Sequence, residues 1–214
     1  QWQAVGRANQ VITNVPNIEM NATLKNRLIA EAKMLRAYFY FNLVRIYGGV
    51  PIFDGLQTNY NIPRNSAAEV YAFIVKDLTE ASEVLPASYG AADLGRVTKG
   101  GALGLLSKVY LYMKDYQKAY DTSNLVIGMG YSLDSDFNHL FRPAGEFGTE
   151  SVFEVNCGCS AEFGGGQYAE VQGVRNQFGW GFFTPTQALE DAFEPGDIRK
   201  EFTILREGET TLEG

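Results

Sequence analysis

Apolar side chains recur every three or four residues through much of the first 130 positions, the period of a helix packed against a core. Asn26 to Tyr47 carries two such stripes, which predicts a helix buried on two sides. Gly48-Gly49, followed by Pro51, predicts its end. The next stripe follows a Ser66-Ala67-Ala68-Glu69 capping box and stops at Pro86, so a second helix is predicted there.

Two further helices are predicted to form a hairpin. Thr98 can cap a helix that runs to Met113, although Gly100, Gly101 and Gly104 lower its helix propensity. Such glycines usually let another part of the backbone come close. A tight turn at Lys114-Asp115 leads into a fourth helix from Tyr116 to Ile127.

The hairpin matches part of the tetratricopeptide pattern. Tyr110 and Ala119 have the spacing of the pattern's tyrosine and of the small residue that lets its two helices approach. Ser107 departs from the pattern, since glycine or alanine is usual there. Ala81 and Pro86 have the spacing of the pattern's end. We therefore predict two degenerate helical repeats, an architecture that favours binding of partners.

The pattern changes after residue 130. Tyr131-Ser132-Leu133 and Ser151 to Val155 are predicted to be short strands, and Gly158 to Gly181 a long loop rich in glycine and aromatic residues. Thr184 to Phe193 is predicted to be a helix, with Thr184 as its cap. The predicted fold is mainly α: a helical-repeat scaffold at 1–130 and a smaller irregular portion at 131–214 with short strands and long loops.

Composition narrows the possible partners. The net charge of −7 and the pI of about 4.8 disfavour nucleic acid as a ligand, because phosphate binding needs clustered cations. No stretch of about 20 apolar residues is present, so no membrane span is expected. The first residues, Gln1 to Ala4, show no signal peptide.

Metal, cofactor and catalytic motifs are weak, so we predict none. A disulfide between Cys157 and Cys159 would be strained, and zinc would need two more ligands beside the sole histidine, His139. We interpret the cysteines as free thiols. Asp134 to Asn138 has only the first part of a calcium-loop spacing, which favours turn formation. His139 has no serine or cysteine partner in a recognisable catalytic motif.

The long loop is the candidate binding site. Aromatic rings can cover the apolar face of a sugar while amides and guanidinium groups bond its hydroxyls. The loop supplies both kinds of group close together, and the predicted ligand-binding residues are Trp180, Tyr168, Phe178, Phe182, Asn176, Gln177 and Arg175. The alternative is that Trp180 and Phe182 fill the core beneath the loop.

Glu31 to Pro51, with the run Arg36-Ala37-Tyr38-Phe39-Tyr40-Phe41 at its centre, closely resembles the hallmark of the SusD/RagB family. Gly95 to Gly100, Asp115 to Ala119, Glu150 to Val155 and Phe193 to Arg199 are similar to later family motifs in the same order. The resemblance covers nearly the whole chain. The residues of the hallmark helix are themselves expected to be structural, with Tyr38 to Tyr40 in the core. Glu31, Arg36 and Arg45 could form buried or helix-face ion pairs, and a solvated or structural charge is the favoured interpretation.

The resemblance implies a non-catalytic binding protein at the surface of a Bacteroidetes-type outer membrane. Family members hold oligosaccharides or polysaccharides as a lid on a SusC-like TonB-dependent transporter. They carry a lipid anchor on an N-terminal cysteine and extend further at the C-terminus, and residues 1–214 include neither part. The family's sugar-contacting aromatic residues vary in position, so no residue is assigned by this resemblance.

Three other functions stay open at this stage. The helical repeats could serve as a protein-interaction scaffold, or the ligand could be a peptide or glycopeptide. A glycoside hydrolase also stays open, because a catalytic carboxylate pair is defined by distance in space and not by spacing in sequence.

Overall fold

The computed structural model of the chain describes residues 1–156, 171–175 and 179–209. The α-helices that lie wholly within these ranges are α1 (Trp2–Asn14), α2 (Ala22–Tyr47), α3 (Ala67–Val84), α4 (Lys99–Tyr112), α5 (Tyr116–Ile127), α6 (Gln187–Asp191) and α7 (Arg199–Thr203). The mainly helical fold is thereby confirmed. None of the helices in this described part of the chain is both long and apolar enough to cross a bilayer.

The chain forms two compact units. The first comprises Gln1–Ser132 and Glu150–Glu154, and it contains α1 to α5. The second comprises Leu133–Thr149 and Val155–Gly214, and it contains α6 and α7.

Helix α2 begins earlier than its apolar stripes predict. The side chain of Asn21 accepts a hydrogen bond from the backbone N–H of Leu24 at 3.1 Å, so the helix starts at Ala22 and not at Asn26. Its end is as predicted, because Gly48 adopts a left-handed φ of +70°. The predicted capping box at the start of α3 is also confirmed, with Ser66 and Glu69 each bonding the other's backbone N–H.

Helices α2 and α3 form an antiparallel pair, since residues later in α2 contact residues earlier in α3. Lys33 pairs with Glu80, Arg36 with Asp77, and the Tyr40 ring lies edge-on to Phe73 at 5.3 Å. The core lies between these helices and their neighbours α1 and α4, and its largest fully buried side chains include Tyr40, Phe41, Met34, Leu43, Ile74, Leu78, Val5, Val70 and Val109. The prediction that the hallmark helix is structural is confirmed for Tyr40, while Tyr38 and Phe39 are half-buried.

Helices α4 and α5 form the predicted hairpin. Lys114 makes the turn with a left-handed φ of 62°, and Ala119 is buried at the contact between the helices. Ser107, the departure from the repeat pattern, has a partner here: its hydroxyl donates to the carbonyl of Ala119 at 2.9 Å and lies 2.6 Å from the Ser123 hydroxyl. A serine is tolerated at this close contact because its polar group is satisfied across the hairpin.

Helix α1 is absent from the predicted elements. Its apolar face is short, with only Val5 and Ala8 among its buried apolar residues, and it also buries a polar residue, Asn9. The Asn9 amide donates to the carbonyls of Phe53 at 2.8 Å and Gly55 at 2.9 Å. A buried polar residue breaks the apolar pattern on which the prediction depended, and its partners lie more than 40 residues away.

The prediction of short strands at 131–133 and 151–155 is wrong. Within the described residues there is no β-ladder, and the one isolated bridge joins Arg175 to Gly179. The segment 150–154 packs against helices: Phe153 contacts the Tyr38 ring, and a Cβ on Gly101 of α4 would lie 3.3 Å from the Val152 carbonyl oxygen. The apolar residues of this segment therefore pack against helices, and the expected close approach at the α4 glycines is confirmed.

The predicted helix from Thr184 to Phe193 is shorter in the structure and begins later, at Gln187. The side-chain oxygen of Thr186, and not that of Thr184, accepts the N–H of Leu189 at 3.3 Å. Phe183 has a left-handed φ of 56°, so the chain is still turning just before Thr184.

Candidate functional site

The described part of the candidate site is a chain reversal closed by backbone hydrogen bonds. The N–H of Gly181 donates to the Gly173 carbonyl at 2.9 Å, and the N–H of Phe182 donates to the Val171 carbonyl at 2.9 Å. Gly181 has a φ of +66°, which a side chain would strain, and the Arg175 side chain lies against it. The reversal therefore holds 179–183 beside 171–175.

An exposed aromatic and cationic cluster lies on this reversal. The rings of Trp180 and Phe182 meet edge to face with centroids 6.1 Å apart, and each residue is 49% exposed. The guanidinium carbon of Arg175 lies 5.7 Å from the Phe182 ring centroid. Phe183 is more exposed still. The cluster offers apolar ring surface with a hydrogen-bond donor beside it.

Three of the seven predicted ligand-binding residues, Trp180, Phe182 and Arg175, are brought together in this way. Neither Trp180 nor Phe182 belongs to the buried core, so the alternative that they fill the core beneath the loop is wrong. The other four predicted residues lie outside the described residues, as do Cys157 and Cys159; the four are Tyr168, Asn176, Gln177 and Phe178.

The segment from Asp134 to His139 forms turns, as predicted. Asp134 accepts the N–H of Asp136 at 2.9 Å, and Asp136 accepts the N–H of Asn138 at 2.9 Å. His139 Nδ1 lies 2.7 Å from the Asp134 carboxylate, and this hydrogen bond raises the pKa of His139 above its ordinary value. Among the described residues, no group of three or more His, Cys, Asp or Glu side chains is arranged to hold a metal ion.

The hallmark helix contributes an ionic cluster whose central pair, Arg36 and Asp77, is buried and not solvated, while Asp54 at its edge is exposed. Arg36 is 2% exposed and bonds both carboxylate oxygens of Asp77, at 2.7 and 2.8 Å. Its guanidinium also donates to the Asn9 side chain at 2.7 Å and lies 3.0 Å from Asp54. Burial raises the pKa of the Asp77 carboxyl, and the hydrogen bonds from Arg36 oppose that rise. The cluster joins α1, α2 and α3, which is a structural role.

The exposed Trp2 ring is an aromatic feature outside the predicted site residues. Trp2 lies at the start of α1, and its ring contacts Phe53 and Tyr40 edge to face at 5.5 and 6.0 Å. Trp2 is not among the predicted ligand-binding residues, because the apolar pattern does not predict α1. The helical spacing of Trp2, Val5 and Asn9 is the signal that could have found it.

Comparison with known proteins gives a consistent result. A family model described as starch-binding and associating with the outer membrane matches residues 1–111. A SusD-like protein of Formosa agariphila is 29% identical, in an alignment that covers 95% of this chain and 43% of that protein.

Solved structures are also similar. A SusD-like protein from Bacteroides fragilis superposes with a TM-score of 0.81 at 35% identity, covering 89% of this chain and 40% of the other. A laminarin-binding SusD-like protein superposes with a TM-score of 0.69 at 33% identity, covering 71% of this chain and 35% of the other. The chain spans less than half the length of each of these three relatives.

Proposed function

Since the chain belongs to the SusD-like family, we propose that it takes part in non-catalytic capture of oligosaccharides or polysaccharides through the cluster of Trp180, Phe182 and Arg175. The observation that carries the proposal is the exposed Trp180–Phe182 ring pair with the guanidinium group beside it. A half-exposed indole can cover the C–H face of a pyranose ring, and Arg175 can donate to the hydroxyl groups at its rim.

The choice of ligand class has support from relatives. The matched family is described as starch-binding, and one structural neighbour is a laminarin-binding protein. Both ligands are neutral glucose polymers, and a site made of aromatic rings and one cation suits neutral sugars better than polyanions.

Isothermal titration calorimetry with soluble starch, laminarin, maltoheptaose and laminarihexaose tests the proposal. We expect Trp180→Ala to weaken binding about tenfold or more, since a loss of ~1.4 kcal/mol is tenfold and an aromatic contact contributes on that scale. Tyr120→Ala on α5 is the matched control, because Tyr120 is also exposed and lies on a different unit. No binding by the wild type would overturn the proposed function, and unchanged affinity of Trp180→Ala would overturn the site.

The absence of catalysis is part of the proposal and has its own measurement. We expect no release of reducing ends when the protein is incubated with starch or laminarin. Product that accumulates with time and scales with protein concentration would instead favour the glycoside hydrolase alternative.

Delivery to a SusC-like TonB-dependent transporter and a lipid-anchored position at the cell surface are proposed on family membership. Co-elution of the intact protein with such a transporter in detergent tests the partner. Digestion of the protein by protease added to intact cells tests the location, and full protection from protease would contradict it.

A further inference from the structure

A second surface of the molecule has the chemistry of a ligand site and lies in the first unit. A groove with a volume of about 840 Å³ runs between α1 and the segment 51–60. Small-molecule sites commonly have volumes of about 300–1,000 Å³. One wall of the groove is polar and the other is aromatic.

The polar wall is one face of α1. Gln3, Arg7 and Gln10 are spaced four and three residues apart, which places them along one side of the helix. All three are exposed, and their side chains make no hydrogen bond or ion pair with another residue of the described ranges. Gly6 lies among them, and apart from its chain neighbours and the backbone of its own helix nothing lies within 4 Å of the place where its Cβ would be. This wall therefore presents amide and guanidinium groups that are free to bond a ligand, with open space above Gly6 between them.

The aromatic wall is formed by the rings of Phe53 and Tyr60, with the aliphatic Leu56 beside them, and the Trp2 indole also lines the groove. Trp2 is 42% exposed and Tyr60 is 74% exposed. Both rings meet Phe53 edge to face, at 5.5 and 5.9 Å. These contacts position the two rings while leaving much of their apolar surface accessible to a ligand.

The segment that carries the aromatic wall is held in place by buried polar contacts. Asn9, which is almost completely buried, donates its amide protons to the carbonyls of Phe53 and Gly55 at 2.8 and 2.9 Å. The hydroxyl of Tyr40, a core residue of α2, accepts the N–H of Phe53 at 2.7 Å. The groove is thus formed before any ligand arrives, which lowers the entropic cost of binding.

We infer that this groove is a second oligosaccharide-binding site, separate from the Trp180 cluster. Rings with accessible apolar surface facing unpaired amides suit a neutral sugar chain, because pyranose rings present both a C–H face and a rim of hydroxyls. A polyanion is disfavoured since Arg7 is the one cation among the groove's lining residues. The choice of ligand class rests on the proposed function, and the location of the site rests on the residues that line the groove.

The positions of the tryptophans permit a direct test. The chain has two, Trp2 in the groove and Trp180 in the loop cluster, so each site has its own fluorophore. In Trp180→Phe the sole indole is Trp2. We expect maltoheptaose or laminarihexaose to shift or quench its emission along a saturable curve, and Tyr60→Ala in the same background to weaken that binding about tenfold.

The control is Tyr120→Ala in the Trp180→Phe background, which is expected to bind unchanged. Circular dichroism confirms that each variant is folded. Binding of these sugars to the wild type by calorimetry, together with an unresponsive Trp2 in Trp180→Phe, would overturn the groove as a site and leave the proposed function standing. No binding of any tested glycan by the wild type would overturn the proposed function, and with it the groove's assigned ligand.

Discussion

The buried ion pair between Arg36 and Asp77 is the residue-scale feature with the largest expected energetic effect. Burial of both groups removes water from their charges, and the paired hydrogen bonds replace that water. Burial alone would lower the pKa of Arg36, but the hydrogen bonds and charges of Asp77 and Asp54 together outweigh it, so the pKa is raised. The arginine therefore stays charged and needs its partner.

We expect Asp77→Ala to lower the free energy of unfolding by about 3–5 kcal/mol, because it leaves a buried guanidinium without its main partner. Urea denaturation measures the change. Glu80→Ala is the matched control on the same helix pair: Glu80 and Lys33 are partly exposed, and such pairs contribute about 0–1 kcal/mol.

The double variant Arg36→Met, Asp77→Leu extends this test. It leaves neither charge of the pair buried, so we expect it to be less destabilised than the sum of the two single variants. Equal losses for Asp77→Ala and Glu80→Ala would show that burial of the Arg36 pair carries no special energy.

His139 gives a pH-dependent prediction at a single residue. The hydrogen bond with Asp134 raises the pKa of His139 above the ordinary value of about 6.5, and the pKa of Asp134 is lowered by the N–H of Asp136 and by His139. The stabilisation from the histidine is fully present below its unfolded pKa and is lost as pH rises through its folded pKa. The stabilisation from the aspartate is lost as pH falls through its own lowered folded pKa.

NMR titration measures this directly, because His139 is the only histidine of the chain. We expect a titration midpoint above about 6.5 in the wild type and a lower midpoint in Asp134→Asn, which removes the negative charge. A midpoint unaffected by that substitution would show that the pair does not persist in solution.

At the scale of elements, the end of α2 shows how one glycine lets a loop close on a helix. Gly48 provides the left-handed turn, and Gly49 then lies directly against the backbone carbonyl of Asn65. The N–H of Asn65 donates to the Val50 carbonyl at 3.1 Å, which joins the two ends of the loop. A side chain on Gly49 would require the backbone to move.

We expect Gly49→Ala to destabilise the protein by about 1–3 kcal/mol through this overpacking. Gly6→Ala is the control, and its expected change in stability has the opposite sign. Gly6 lies inside α1 with free space at its Cβ position, so alanine should stabilise the protein by about 0.5–1 kcal/mol. Thermal or urea denaturation of both variants checks the pair. A loss at both positions would indicate that the tight contact at Gly49 is not the cause.

At the scale of the whole molecule, each of the two compact units carries one of the two proposed sugar-binding sites. The first contains the helical repeats, the buried Arg36 cluster and the groove beside α1. The second contains the Trp180 cluster. The prediction that 131–214 is the ligand-binding portion stays a prediction. If both sites bind, capture of sugar would use the helical scaffold as well as the irregular portion.

The sequence by itself determined α2 to α5, the Ser66 capping box, the α4–α5 hairpin and the family. These features are encoded by periodicity and by partners close along the chain, such as the cap at Ser66 that bonds a residue three positions later. It also predicted Trp180, Phe182 and Arg175 as ligand-binding residues, because the loop places its aromatic and polar residues close together in sequence; the structure shows them in contact, and their role in binding stays a prediction.

Only the tertiary structure decided the rest. Whether Arg36 is solvated or buried depends on Asp77 and Asn9, which lie 41 and 27 residues away. Residues 150–154 pack against helices and form no strand, and the groove needs α1 and the segment 51–60 together. Burial and pairing between distant segments are properties of the packed chain, so no local pattern could have determined them.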